Sequence, residues 1–302
     1  MTTRFLCGVL LLLCGPAFGQ TTLPLDPRAA YLRCNNDPAP GTVAIPLAPA
    51  GIAPSQVVRI RRLGDYDNGP GGDTFGTTIA VFSADATLLP LATAARVPGA
   101  LEAGCDFVSS PTWSGGLATD IPEDFLVAAG AGSTATQNEV VVVVPANATH
   151  LFVCPHDSLY HDNRDPDGDY AVELQVLAPT AWSRLGGGIA GVAGVPLLTG
   201  SGELVCGSGV AFDLTRARPL TPVIHVIGLS RIDLPLFGGT LVPQPVISAV
   251  LVSTDGSGSA RLTVPIPVHF PSAAPLFVQV WLLDPAAAAG IAASDALRAI
   301  AP

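Results

Sequence analysis

The sequence predicts an all-β protein built from two β-sandwich domains, the first of jelly-roll or galactose-binding type. Three observations carry that expectation. Gly and Pro supply 32 and 29 of the 302 residues, so turns interrupt the chain too often for long helices. Short runs rich in Val, Ile, Leu, Phe and Thr recur between those turns, the spacing of sandwich strands. Charge is scarce at 13%, with no Lys at all, which removes the composition of coiled coils and helical bundles. The formal net charge of −10 also argues against a nucleic-acid partner, which needs a basic face. A mean hydropathy of +0.48 is too apolar for a disordered chain.

At the N-terminus, Arg4 precedes the apolar run Phe5 to Cys14, then Pro16 and the small-residue ending Ala17-Phe18-Gly19. This is the pattern of a secretory signal cleaved after Gly19, which implies a secreted or cell-surface protein. The apolar run is shorter than the roughly 20 residues that a membrane span needs. Bulky Leu13 before Cys14 argues against a lipoprotein site. Two later stretches without charge, Leu234 to Thr254 and Leu262 to Leu283, contain three and four prolines. They read as buried strands and turns, and no membrane span is expected.

In the first half the expected strands are Thr42–Leu47, Gln56–Arg62, Thr78–Ser83, Asp124–Ala128, Glu139–Val144, His150–Cys154 and Tyr170–Val176. The partly alternating Val57-Val58-Arg59-Ile60-Arg61 suits a half-exposed strand. The continuous run Val140 to Val144 suits a fully buried one. In the second half they are Gly209–Leu214, Val223–Leu229, Gly239–Val242, Ile247–Val252, Ala260–Val264, Leu276–Leu283 and Ala296–Ile300. Pro285–Ala293, small and Ala-rich, is expected to form a helical turn. The segment Ala178-Pro179-Thr180, followed by Leu185-Gly186-Gly187-Gly188, marks the border between domains 20–178 and 179–302. Four cysteines survive maturation: Cys34, Cys105, Cys154 and Cys206. Three pairings are open, and either a bridge crosses the border or two thiols stay unpaired.

The chemistry is concentrated in two acidic loops, which hold 8 of the 19 Asp. The longer runs from His156 to Tyr170 and contains Asp157, Asp162, Asn163, Asp165, Asp167 and Asp169 between two strands. The shorter runs from Gly64 to Asp73 and contains Asp65, Asp67 and Asn68. Asp and Asn also favour turns through local hydrogen bonds, which is the plain structural explanation. Gathered carboxylates repel one another, however, and a hard cation such as Ca²⁺ removes that repulsion by taking six to eight oxygens. Asn163-x-Asp165-x-Asp167-Gly168 matches the first half of an EF-hand loop, but Leu174 stands at the twelfth position and strands flank the loop.

The stretch Leu151-Phe152 … Asp157-x-x-Tyr160-x-Asp162-Asn163 … Gly168-x-Tyr170-x-Val172 resembles the C-terminal strand–loop–strand of calcium-dependent galactophilic bacterial lectins. The resemblance spans about residues 42–177 and implies a Ca²⁺ that also meets sugar hydroxyls. It implies Asp157 as first ligand and Asp162 and Asn163 as an adjacent pair. A backbone carbonyl near Leu159 or Tyr160, and another from the loop Tyr66-Asp67-Asn68, would complete the set. Arg164 to Asp167 reads as an insertion, and no residue matches the lectins' sugar-contacting His; His156 and His161 lie nearby as candidate carbohydrate contacts with Asp157 and Asp162. The second half resembles a C-terminal β-domain of exported planctomycete-like bacterial proteins, on Phe237-Gly238-Gly239-Thr240 and Thr254-Asp255-Gly256-Ser257-Gly258 among other pieces. No activity follows from that likeness.

No G-x-S-x-G, H-E-x-x-H, Walker or dinucleotide motif occurs. A glycosidase needs two separated carboxylates across a cleft, and these Asp cluster in loops. The expectation is an exported, non-catalytic, Ca²⁺-dependent carbohydrate-binding protein for a galactose-type glycan. The rival is a surface structural or adhesion protein with purely structural calcium, and a secreted hydrolase ranks behind both.

Overall fold

The computed structural model describes residues 19–33, 37–68, 76–105, 121–130, 137–157, 159–245, 247–268 and 270–302. Residues 1–18 of the expected signal segment 1–19, and Cys34 and Asp73, lie outside them. The fold is all-β, with β-sandwich architecture and antiparallel ladders throughout. No helix among the described residues is long and apolar enough to cross a membrane.

The first half contributes β1 (Gln20–Pro24), β2 (Ile45–Pro46), β3 (Val57–Leu63), β4 (Thr78–Ser83), β5 (Ala100–Leu101), β6 (Phe125–Ala128), β7 (Glu139–Val143), β8 (His150–Pro155) and β9 (Ala171–Val176). One sheet has the order β1-β9-β3-β7; the other runs β2-β8-β4-β5, with β6 also on β4. Val58 and Ile60 of β3, Val140 and Val142 of β7 and Leu174 of β9 pack in one core with Ala80, Phe82, Phe125, Leu151 and Val153 of the opposite sheet. Arg59 and Arg61, alternating with them, face outward beside Glu173, which β9 places opposite Arg61. The two-residue period of a strand explains this split.

The continuous valine run is not buried on both faces. Val140 and Val142 are buried while Val141 and Val143 are only half-buried, because Val141 lies on the outer face of the sheet, opposite the half-buried Arg59 of β3. Strand β4 is buried on both faces along its whole length. Behind it, Ile79, Val81, Phe152 and Cys154 pack against Tyr31, Leu32, Val97, Ile121 and Tyr160. Loops therefore form a third layer over the second sheet, and the acidic loop contributes Tyr160 to that layer.

The second half contributes β10 (Ser183–Gly186), β11 (Leu197–Ser201), β12 (Gly209–Thr215), β13 (Pro222–Gly228), β14 (Arg231–Leu236), β15 (Gly239–Pro243), β16 (Ile247–Ser253), β17 (Ala260–Pro265), β18 (Pro275–Leu283), β19 (Ile291–Ala293) and β20 (Ala296–Ile300). A six-stranded sheet runs β10-β20-β18-β13-β16 with β19 on β18, and faces the three-stranded sheet β11-β12-β17 across a shared core. The helical turn expected at Pro285–Ala293 is instead a run of turns closing into β19, with Gly290 at φ +71°. Short strands β1, β5, β10, β11, β14 and β19 escape the sequence pattern. Of the stretch expected to be buried, β14 is nearly all exposed and pairs only with β15.

Cys105 and Cys206 form a disulfide that joins the two halves, with Cα atoms 5.4 Å apart and a sequence separation of 101. Of the two outcomes left open by the cysteine count, the crossing bridge is the one found. Beside it, Gly104 and Gly207 have φ of +75° and +70°, and a Cβ on Gly207 would lie 2.3 Å from the Gly104 carbonyl carbon. Only glycine at both positions lets the backbones approach this closely. Cys154 is buried and outside the disulfide, with its Sγ 3.1 Å from Pro155 O.

Candidate metal centre

The acidic loop connects β8 to β9, and its path is set by an anchor in its middle. Tyr160 is fully buried in the third layer. The carboxylate of Asp37, 5% exposed, accepts the amides of Tyr160 and His161, and its Oδ1 lies 3.1 Å from His161 Nδ1. A carboxylate taking several amide donors is a strong clamp. Sequence reasoning missed Asp37. Its one signal is the turn-forming string Asn35-Asn36-Asp37-Pro38, which gives no hint of a partner 124 positions away.

The loop then turns on itself. Asn163 N donates to Tyr160 O at 3.1 Å, and Asn163 Nδ2 donates to Pro27 O at 2.9 Å. That second bond fixes the amide orientation, so Asn163 Oδ1 is the free end. Asn163 is 1% exposed, and its Oδ1 is buried with no hydrogen-bond donor among the described residues. The same holds for Oδ1 of its neighbour Asp162. Asp157 stands at the start of the loop, where its amide reaches the Tyr160 hydroxyl at 3.4 Å.

The two acidic loops meet. Asp67 and Arg164 form an antiparallel bridge, and both residues' backbone groups are used in it. Tyr66 is fully buried, donates its hydroxyl to Thr77 O at 2.8 Å, and packs against Tyr170 with ring centroids 4.8 Å apart. Burial holds the Tyr66 phenol well above its ordinary pKa, and the neighbouring Tyr170 and Asp157 add to the shift. Tyr66 and Asp67 thus serve visibly as the seam between loops. His156 is half-buried and donates its amide to Thr77 O at 2.8 Å. His161 is about half exposed, with its ring held by Asp37.

The remaining acids form a separate rim. Carboxylate oxygens of Asp165, Asp167 and Asp169 lie within 4.8 Å of one another. Much of their capacity is already used: Asp165 accepts the amides of Gly168, Asp169 and Tyr170, and Asp169 Oδ1 accepts the Asp65 amide at 3.1 Å. Desolvation, then the charges of Asp169 and Asp165, hold the exposed Asp167 carboxyl above the usual range. The EF-hand-like string is thereby divided, with Asn163 turned to Pro27 and Asp165 capping the turn at Gly168.

No protein-family model matches this chain, and no curated protein matches it. Among solved structures, a glycoside hydrolase domain of Endo-D from Streptococcus pneumoniae R6 aligns over 94% of this chain and 37% of its own, at 11% identity and a TM-score of 0.18. That TM-score lies below the level of a shared fold.

Proposed function

We propose that this chain is an exported Ca²⁺-binding protein of lectin type, with Asp162 and Asn163 as adjacent ligands and Asp157 beside them. One observation supports the reading above the others: the consecutive residues Asp162 and Asn163 each keep a buried Oδ1 without a donor among the described residues. A buried acceptor left unsatisfied costs about 1–3 kcal/mol, and two side by side in one loop need a common explanation. A hard cation accepts both a carboxylate and an amide oxygen. When bound, the ion would supply open coordination positions for vicinal hydroxyls of a glycan, with His161 at the exposed side of the loop.

A second reading rests on the burial of Asn163, which is 1% exposed. An ion enclosed at that depth would rigidify the loops without reaching a sugar. Millimolar Ca²⁺ should raise Tm, and an Asp162→Ala/Asn163→Ala variant should lose the rise. No rise in the wild type sinks both readings. Glycan-array binding abolished by EDTA favours the lectin, and a Ca²⁺-induced Tm rise with no glycan bound favours the structural ion.

A further inference from the structure

Away from the acidic loops, one short loop fastens the second half to the first. Each half buries its own core, and among the described residues Cys206 is the one member of the second half that packs in the core of the first. No described strand of the first half pairs with a strand of the second, and one bridge rung, Val142 to Cys206, runs between them. Cys206 lies in the loop 202–208 between β11 and β12, with its Sγ 3.6 Å from Val141 O. Halves that share so little packing move relative to each other unless something ties them. The covalent tie is the Cys105–Cys206 bond.

The connection between the halves is short and open. Leu177 N donates to Val57 O at 2.9 Å, which holds it to the first half. Thr180 N donates to Glu203 Oε2 at 2.6 Å, and Leu204 N donates to Thr180 Oγ1 at 3.0 Å, which hold Thr180 to the second. Ala178 and Pro179 lie between these anchors, and both are exposed. The loop 202–208 is therefore fixed to the second half's side of the joint, and the disulfide fixes it to the first half. With the bond broken, the loop travels with the second half.

A cleft of about 530 Å³ lies along the same seam. Gln137, Glu139 and Val141 line it from the first half, and Phe270, Ser272 and Cys206 from the second. A cavity of that size admits a small molecule. It brings a reductant to the residue that carries one of the two sulfurs.

We propose that the Cys105–Cys206 bond is a redox latch, whose reduction lets the halves hinge at Ala178-Pro179 and widens the cleft. The reductant is a dithiol. One of its thiolates attacks a sulfur of the bond and forms a mixed disulfide, and its second thiol displaces the protein sulfur. Cys105 and Cys206 leave as thiols, and the dithiol leaves as a cyclic disulfide. The test is small-angle X-ray scattering on the full chain, before and after dithiothreitol under native conditions, with thiol counting and near-UV circular dichroism on the same samples. The expected result is a rise of about 5–10% in radius of gyration at unchanged monomer mass, with the near-UV signal kept and the starting value restored on reoxidation. Cys105→Ala/Cys206→Ala should show the larger radius with or without dithiothreitol. The proposal is overturned if the bond resists dithiothreitol until the chain unfolds, or if the reduced chain keeps the oxidised radius. Loss of the near-UV signal on reduction also overturns it, since the bond then staples the fold rather than the joint. A larger radius that comes with a doubled mass overturns it as well.

Discussion

Asp67 and Arg164 exchange both backbone hydrogen bonds, Asp67 N to Arg164 O at 2.7 Å and Arg164 N to Asp67 O at 2.9 Å. This single rung makes the loop after β3 and the loop after β8 one unit. Arg164→Pro removes a donor from it and should cost about 1–3 kcal/mol in urea unfolding. In hydrogen exchange, the Asp67 and Arg164 amides of the wild type should open together.

The two groups of acids should separate by mutation. Asp167→Asn/Asp169→Asn should leave a Ca²⁺-induced rise in Tm in place, whereas Asp162→Ala/Asn163→Ala should remove it. The rise itself is worth about 2.7 kcal/mol at a Ca²⁺ concentration a hundred times Kd. If the Asp167→Asn/Asp169→Asn variant alone loses the rise, the ion sits on the exposed rim.

Asp37 should matter to a loop far from it in sequence. Asp37→Ala leaves the Tyr160 and His161 amides without their acceptor and should destabilise by about 1.5–3 kcal/mol, the range for bonds to a charged group. Differential scanning calorimetry measures the loss, and the effect on His161 appears as increased ring mobility in NMR.

Reduction of the Cys105–Cys206 bridge releases a constraint over 101 residues, worth about 4–5 kcal/mol in the chain-entropy account. Cys105→Ala/Cys206→Ala should show it in denaturant unfolding. Gly207→Ala should hinder formation of the bridge, because its Cβ would strike the Gly104 backbone. Thiol counting after oxidative refolding checks this.

Burial raises the pKa of Tyr31, Tyr66 and Tyr170, with nearby charges contributing to the first two. The folded chain therefore holds protons that the unfolded chain gives up near pH 10. The stability from these groups is complete below that pH and falls as pH rises further toward the folded values. Their tyrosinate absorbance at 295 nm should appear together with the loss of near-UV circular dichroism. Smooth titration of all three near pH 10 in a folded chain would contradict the burial.

Local pattern carried most of the strand positions. The alternation of Val58, Arg59, Ile60 and Arg61 needs only the two-residue period of a strand and one apolar side to be read correctly. The acidic loop was equally legible, since no strand tolerates so many Asp. What chain-local signals left out was whatever depends on the second partner. Val141 is half-buried because the outer face of its sheet has little cover, and β14 is exposed because it pairs with β15 alone; neither fact is written in their own residues.

The candidate site divides the same way. Sequence alone determined that carboxylates and an amide gather between β8 and β9. Only the tertiary structure decided that Asp162 and Asn163 keep buried oxygens without a donor among the described residues, while Asp165 and Asp169 spend theirs on loop amides. It also decided that Asp37 clamps the loop and that Cys105 meets Cys206. The physical reason is that hydrogen-bond satisfaction and disulfide geometry are properties of groups brought together in space. Their cost or gain is set by partners tens to more than a hundred residues away, which no local spacing encodes.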